Sequence, residues 1–144
     1  MSASTQQDLV AVHGGLQQLV DRIVPFNQKA EFLGRADGLP SIRVTSADLS
    51  TIHRLADGAL SPLIGPMKKE AYDRVLAEKV VLSEGGRYAW AIPISLPVTD
   101  AEAAGLQSGS ACAVPTEAAP LIAHLDDLHG FALDPFVSFV FLYV

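Results

Sequence analysis

The sequence predicts an α+β fold, with several short helices mostly in the first half and a small, partly closed antiparallel sheet from the second. Three observations carry this. Apolar residues recur at helical spacing between Lys29 and Glu78. After Lys79 the short apolar runs follow strand spacing, separated by turn residues. Pro93 and Pro97 then interrupt the longest extended run, which suits only an edge strand or a bent one. The 144 residues fit one domain, 1–144, and at 49% apolar and 18% charged they can bury a core without disulfides or metals.

Residues 10–13 and 16–24 flank His13-Gly14-Gly15 and suit either a strand with a tight turn or a short helix. Lys29 to Ala36 is a short helix, stopped by Gly38 and Pro40. Ser41 to Val44 alternates as a strand does. Thr45 and Asp48 form a capping box, the hydroxyl facing inward and the carboxylate reaching back. Leu49, Ile52, Leu55 and Ala56 then share a helical stripe that ends at Gly58.

Residues 57–76, DGALSPLIGPMKKEAYDRVL, form an elaborate joint before a helix from Lys68 to Glu78. Tyr72, Val75 and Leu76 should form the buried face of that helix, opposite Lys68, Lys69 and Arg74. The joint reads as a corner: Gly58 ends one helix, Ser61-Pro62 turns the chain, and Leu63 and Met67 plug the core. Lys79 to Ser83 is a strand, Glu84 to Arg87 a hairpin turn, and Arg87 to Val98 a long extended run. Thr99 and Glu102 make a second capping box for a helix to Leu106. The runs 110–114, 120–125 and 136–144 read as further strands. There is no internal repeat, linker or low-complexity tract.

Charge is unevenly placed. Residues 1–87 hold ten acids and ten bases, whereas residues 88–144 hold six acids and neither lysine nor arginine. Nucleic-acid affinity rests on cations that neutralise phosphates, so no nucleic-acid partner is expected. The start MSASTQQDLV lacks the features of a secretory signal. The apolar run 136–144 is far shorter than the roughly 20 residues that span a bilayer. With Cys112 as the single cysteine, a soluble cytoplasmic protein with no membrane partner is the expectation.

The chemistry-bearing residues are few. His13-Gly14-Gly15 can offer backbone N–H groups to an anion, but two glycines more simply allow a turn or close backbone contact. His124, Asp126, Asp127 and His129 hold metal-ligating groups. On a strand, however, His124 and Asp126 would face away from Asp127 and His129. Ser61 lacks a nucleophile-elbow setting. Cys112 sits in an apolar run with no cation to activate it. Tyr88 and Trp90 read as sheet residues. No phosphate loop, dinucleotide fingerprint or CxxC pair is present. The expectation is no catalytic residue, no cofactor and no metal.

Several stretches, in order, resemble the N-terminal domain of ATP sulfurylase (sulfate adenylyltransferase). The family's H-G-G-x-L corresponds to His13-Gly14-Gly15-Leu16, and its G-A-x-S-P-L-x-G-F-M to Gly58 through Met67. Its W-x-I-P-I-x-L-x-V corresponds to Trp90 through Val98, and P-L-A-x-L to Pro120 through Leu125. The resemblance runs from residue 12 to about 135. It implies a PUA-like fold, a small β-barrel with added helices, which in the family packs against a separate nucleotidyltransferase domain. That domain joins ATP and sulfate into adenylylsulfate and pyrophosphate, the first step of sulfate assimilation.

The catalytic motifs Q-x-R-N and H-x-x-H of that family are absent from these 144 residues. Joining two anions needs preorganised cations, so the chain alone is not expected to catalyse the reaction. The matching residues His13, Gly14, Gly15, Gly58, Ser61, Pro62, Leu63, Gly65, Met67, Trp90 and Pro93 are expected to be mainly structural. The resemblance implies a catalytic sulfate adenylyltransferase domain or subunit as partner. Two departures stand out: Pro66 replaces the usual phenylalanine, and 136–144 leaves the family pattern. The alternative function is a free-standing PUA-like binding or interaction module that self-associates through its apolar C-terminal strand.

Overall fold

The computed structural model describes residues 13–36, 38–107, 110–115, 123–125, 129–130, 136–138 and 142–143. His13–Gly15 and Phe26–Gln28 are single 3-10 turns, the second leading into α1, Lys29–Ala36. Between the turns the chain has no regular structure, neither strand nor helix. α2 spans Ser46–Ala56 and α3 spans Lys69–Glu78. The strands β1, Val80–Ser83, and β2, Gly86–Ala89, form a hairpin. β3, Leu96–Pro97, precedes the one-turn α4, Asp100–Ala104. The remaining strands are β4 (Cys112–Val114), β5 (Ala123–Leu125), β6 (His129–Gly130), β7 (Phe136–Ser138) and β8 (Leu142–Tyr143).

Local chemistry explains these boundaries. Thr45 caps α2 by accepting from the Asp48 N–H at 3.2 Å, while the Asp48 carboxylate accepts from the Thr45 N–H at 3.0 Å. Thr99 and Glu102 repeat this on α4. Gly58, at φ +82°, follows α2 in the left-handed conformation that stops a helix. α3 ends instead on Lys79 at φ +57°. The hairpin turns on Glu84 and Gly85, both at positive φ, as its two-residue connection requires.

The described strands form three small antiparallel sheets rather than a closed ring: β1-β2, β3-β7-β6 and β4-β5-β8. Several expectations are corrected accordingly. Ser41–Val44 makes one parallel bridge, Ser41 to Ala113, and no strand. The run from Arg87 to Val98 divides into β2 and β3, which lie in different sheets, because residues 90–95 leave the ladder around Pro93. β3, which contains Pro97, is an edge strand, as a residue without an N–H prefers. The apolar run 136–144 is likewise divided. β7 is flanked on both sides by β3 and β6, so of the described part only β8 lies on an edge.

Among the described residues two apolar clusters form the core. The larger joins α2 (Ile52, Leu55, Ala56) to Ile42, Leu96, Val98, Cys112 and Val114. The smaller holds Met67, Val75 and Val81, with Tyr72, Tyr88 and Trp90 against it. Leu63 packs on both. On α3 Val75 is fully buried and Tyr72 half-buried, but Leu76 is 48% exposed and does not belong to the buried face expected for it.

Candidate functional site

Three of the four motif stretches singled out in the sequence meet at one place, the corner between α2 and α3, while the stretch from Pro120 begins outside the described residues. The opening turn reaches it through its glycines. Gly14 and Gly15 have φ of +66° and +81°. A Cβ on Gly14 would collide with the ring of Pro62, and one on Gly15 with the phenol of Tyr88. Glycine is therefore required at both positions for close approach as well as for conformation.

The chain then runs across the end of α2. The Val20 N–H donates to Ser61 Oγ at 2.8 Å, and Ser61 Oγ donates in turn to the Gly58 carbonyl at 2.7 Å. The Arg22 N–H donates to the Ala56 carbonyl at 3.0 Å. Gly58 lies beneath this strap, where an added Cβ would stand 2.6 Å from the Val20 carbonyl oxygen. Ser61 is buried and its hydroxyl is engaged as both donor and acceptor. It is a tether between distant backbone segments. The Ser61–Pro62 bond is cis.

On its far side the corner meets the motif that begins at Trp90. Gly65, Pro66 and Met67 are buried, and the Met67 N–H donates to the Ile94 carbonyl at 2.7 Å. Trp90 lays its ring against the smaller cluster and donates from Nε1 to the Ile92 carbonyl at 2.7 Å, holding the chain before the half-buried Pro93. Gly14, Gly15, Gly58, Ser61, Pro62, Leu63, Gly65, Met67, Trp90 and Pro93 thus belong to one assembly. It contains no converging charge, and its hydrogen bonds go to backbone. Replacing Ser61 by alanine leaves the Val20 N–H without its acceptor, and should cost about 2 kcal/mol, read as a shift in the urea midpoint.

The other residues considered separate from it. Cys112 is fully buried in β4, as its apolar setting implies. The His13 imidazole, and Asp126 and Asp127 of the His124–His129 cluster, lie outside the described residues. His124 and His129 fall on strands of different sheets. Among the described residues no three histidines, cysteines or acids gather as a metal would need. Arg54, Lys69, Arg74 and Arg87 each pair with a nearby carboxylate on the surface.

Sequence reading missed a second assembly. Val44-Thr45-Ser46-Ala47-Asp48 and Val98-Thr99-Asp100-Ala101-Glu102 share the pattern V-T-x-A-acid. The two caps face each other across a groove of about 700 Å³ that Arg43 also lines. Glu102 does more than cap α4: its Oε1 accepts from the Arg43 N–H at 3.0 Å, joining the two units. Asp48 cannot reciprocate, since Pro97 stands where Arg43 does and has no N–H.

These contacts hold the Glu102 carboxyl below its ordinary value of 4.5. The Arg43 N–H contributes most, followed by the backbone and hydroxyl of Thr99. A depressed carboxylate adds stability above its unfolded pKa and loses it as pH falls through the folded value. Glu102→Gln should therefore lower Tm at pH 7, and the gap to the unchanged chain should narrow below pH 4.5.

With this geometry in view, comparison with known proteins is specific. The PUA-like domain family matches residues 10–136. The chain is 42% identical over 123 residues to a sulfate adenylyltransferase of Pyropia yezoensis, taking in 85% of this chain and 28% of that protein. It is 43% identical over 106 residues to the sulfate adenylyltransferase of Nostoc punctiforme, covering 74% and 26% respectively. The structure superposes on a hexameric APS kinase from Thiobacillus denitrificans with a TM-score of 0.75 and 25% identity, across 94% of this chain and 26% of that one. The chain thus spans little more than a quarter of the length of each. Among the described residues no helix is long and apolar enough to cross a membrane.

Proposed function

Because this chain belongs to the PUA-like domain family, we propose that it is the N-terminal supporting domain of a sulfate adenylyltransferase, bracing a catalytic domain or subunit and inactive alone. The enzyme so formed converts ATP and sulfate to adenylylsulfate and pyrophosphate in the cytoplasm. The observation that carries this reading is the corner: residues matching the family's motifs meet there and spend their polar groups on backbone and their apolar groups on core. Among the described side chains of that corner, none offers a charge to a substrate. In this reading the three sheets belong to one small β-barrel, and the motif residues are architectural, with no cofactor or metal.

The purified chain, given adenylylsulfate and pyrophosphate, should form no ATP above background. Substituted for the matching quarter of the Pyropia yezoensis protein, it should support ATP formation. Appreciable turnover by the chain alone would overturn the reading. A free-standing module that pairs with itself through its C-terminal strand has less support, because β7 is enclosed within its sheet and only the two-residue β8 of the described part lies on an edge. Sedimentation separates the two readings, since a self-pairing module would be dimeric at tens of micromolar.

A further inference from the structure

The segment leading into α1 carries apolar side chains on the side away from its own core. Phe32 is the buried residue of α1. Ile23, Phe26 and Leu33 point elsewhere, at 54%, 92% and 40% exposed. The turn at Phe26–Gln28 runs into α1 without a break, because Lys29 is already helical. Phe26 and Leu33, seven residues apart, therefore stand two turns apart on one side. Scattered exposed apolar residues need no explanation. Ile64, Leu76, Leu82 and Ile92 are of that kind, spread over the corner, α3, β1 and a loop. A phenylalanine almost wholly in water, with an isoleucine and a leucine on the same short stretch, is a patch.

We propose that Ile23, Phe26 and Leu33 form the docking face for the remainder of a sulfate adenylyltransferase-type polypeptide, the nearly three-quarters of such relatives that this chain does not match. The area decides between occupants. The patch offers a few hundred Å², well short of the roughly 800 Å² per side that a pair of free copies needs. Interfaces between domains of one polypeptide begin at about 600 Å² in total, which a patch of this size serves. Lys29, Glu31 and Arg35 along the same helix sum to a single positive charge, too little for nucleic acid, so the face is chiefly apolar and suits a protein surface. The proposal rests on the supporting-domain reading and adds to it the face that does the bracing.

The test uses thiol labelling, because the native Cys112 is buried. Phe26→Cys and Leu82→Cys are each made in this chain alone and in this chain fused in place of the matching region of the Pyropia yezoensis protein. Peptide mass spectrometry reads the labelling rate at each position. Phe26→Cys should label at least tenfold more slowly in the fusion than in the isolated chain, and Leu82→Cys equally fast in both. Equal rates at position 26 overturn the proposal. ATP formation by the fusion reports separately on the supporting role. An active fusion with position 26 unprotected removes the docking face but keeps that role, and an inactive fusion with position 26 protected does the reverse. If the fusion does not fold, cysteine at the matching position of the intact Pyropia yezoensis protein carries the test. Slow labelling there supports the face, and fast labelling removes it.

Discussion

A Gly58→Ala chain should unfold about 3 kcal/mol more readily than the original, a fall of roughly 10 °C in Tm for a domain of this size. Two costs add. At φ +82° any side chain is strained, and the new Cβ would stand 2.6 Å from the Val20 carbonyl oxygen and 2.9 Å from Leu19 Cβ. Relief requires lifting the strap away from the end of α2, which would stretch the Val20 bond to Ser61. Gly85→Ala separates the two costs. Its φ is +74°, but nothing lies near the site of the added atom, so it should lose only about 1 kcal/mol. Denaturant titration of both variants checks the difference, and equal losses would count against the close approach.

Met67→Ala should cost about 3 kcal/mol. Met67 is 3% exposed and packs with Val75 and Val81, the buried residues of the smaller cluster. Truncation removes its side chain but leaves its N–H bond to Ile94 intact, so the loss measures packing. The urea midpoint should fall with its slope unchanged, and amide exchange should quicken in α3 and the β1-β2 hairpin before it does in α2. Leu76→Ala on the same helix is the contrast, expected within about 0.5 kcal/mol.

That contrast shows where the sequence was legible. Helix positions were recovered well because caps act locally: Thr45 with Asp48, Thr99 with Glu102 and Gly58 each complete their signal within a few residues. The β1-β2 hairpin, with turn residues at positive φ, was equally clear. Leu76 went astray because a stripe two turns long has an ambiguous edge, and only the neighbouring elements decide which side is covered. The sheets were the least readable part, since pairing partners are remote in sequence. Nothing near Phe136 states that β3 and β6 will flank it. At the corner, the family motifs marked residues but gave no reason why they should lie together. The reason is proximity: Gly14 against Pro62, Gly15 against Tyr88, Val20 bonded to Ser61. The Glu102 tie to Arg43 was missed because a cap that also serves a second backbone looks, in sequence, like any other cap.

The strap also constrains the order of events at birth. Val20 and Ser61 lie 41 positions apart, so at roughly 5–20 residues per second of synthesis the first leaves the ribosome some 2–8 s before the second. Throughout that interval the nascent chain holds Leu16, Val20 and Val24, which the folded domain covers, with no corner to receive the segment between Gly14 and Val24. A ribosome-associated chaperone that favours short apolar stretches would find its substrate there, and would have to let go once Ser61 emerges.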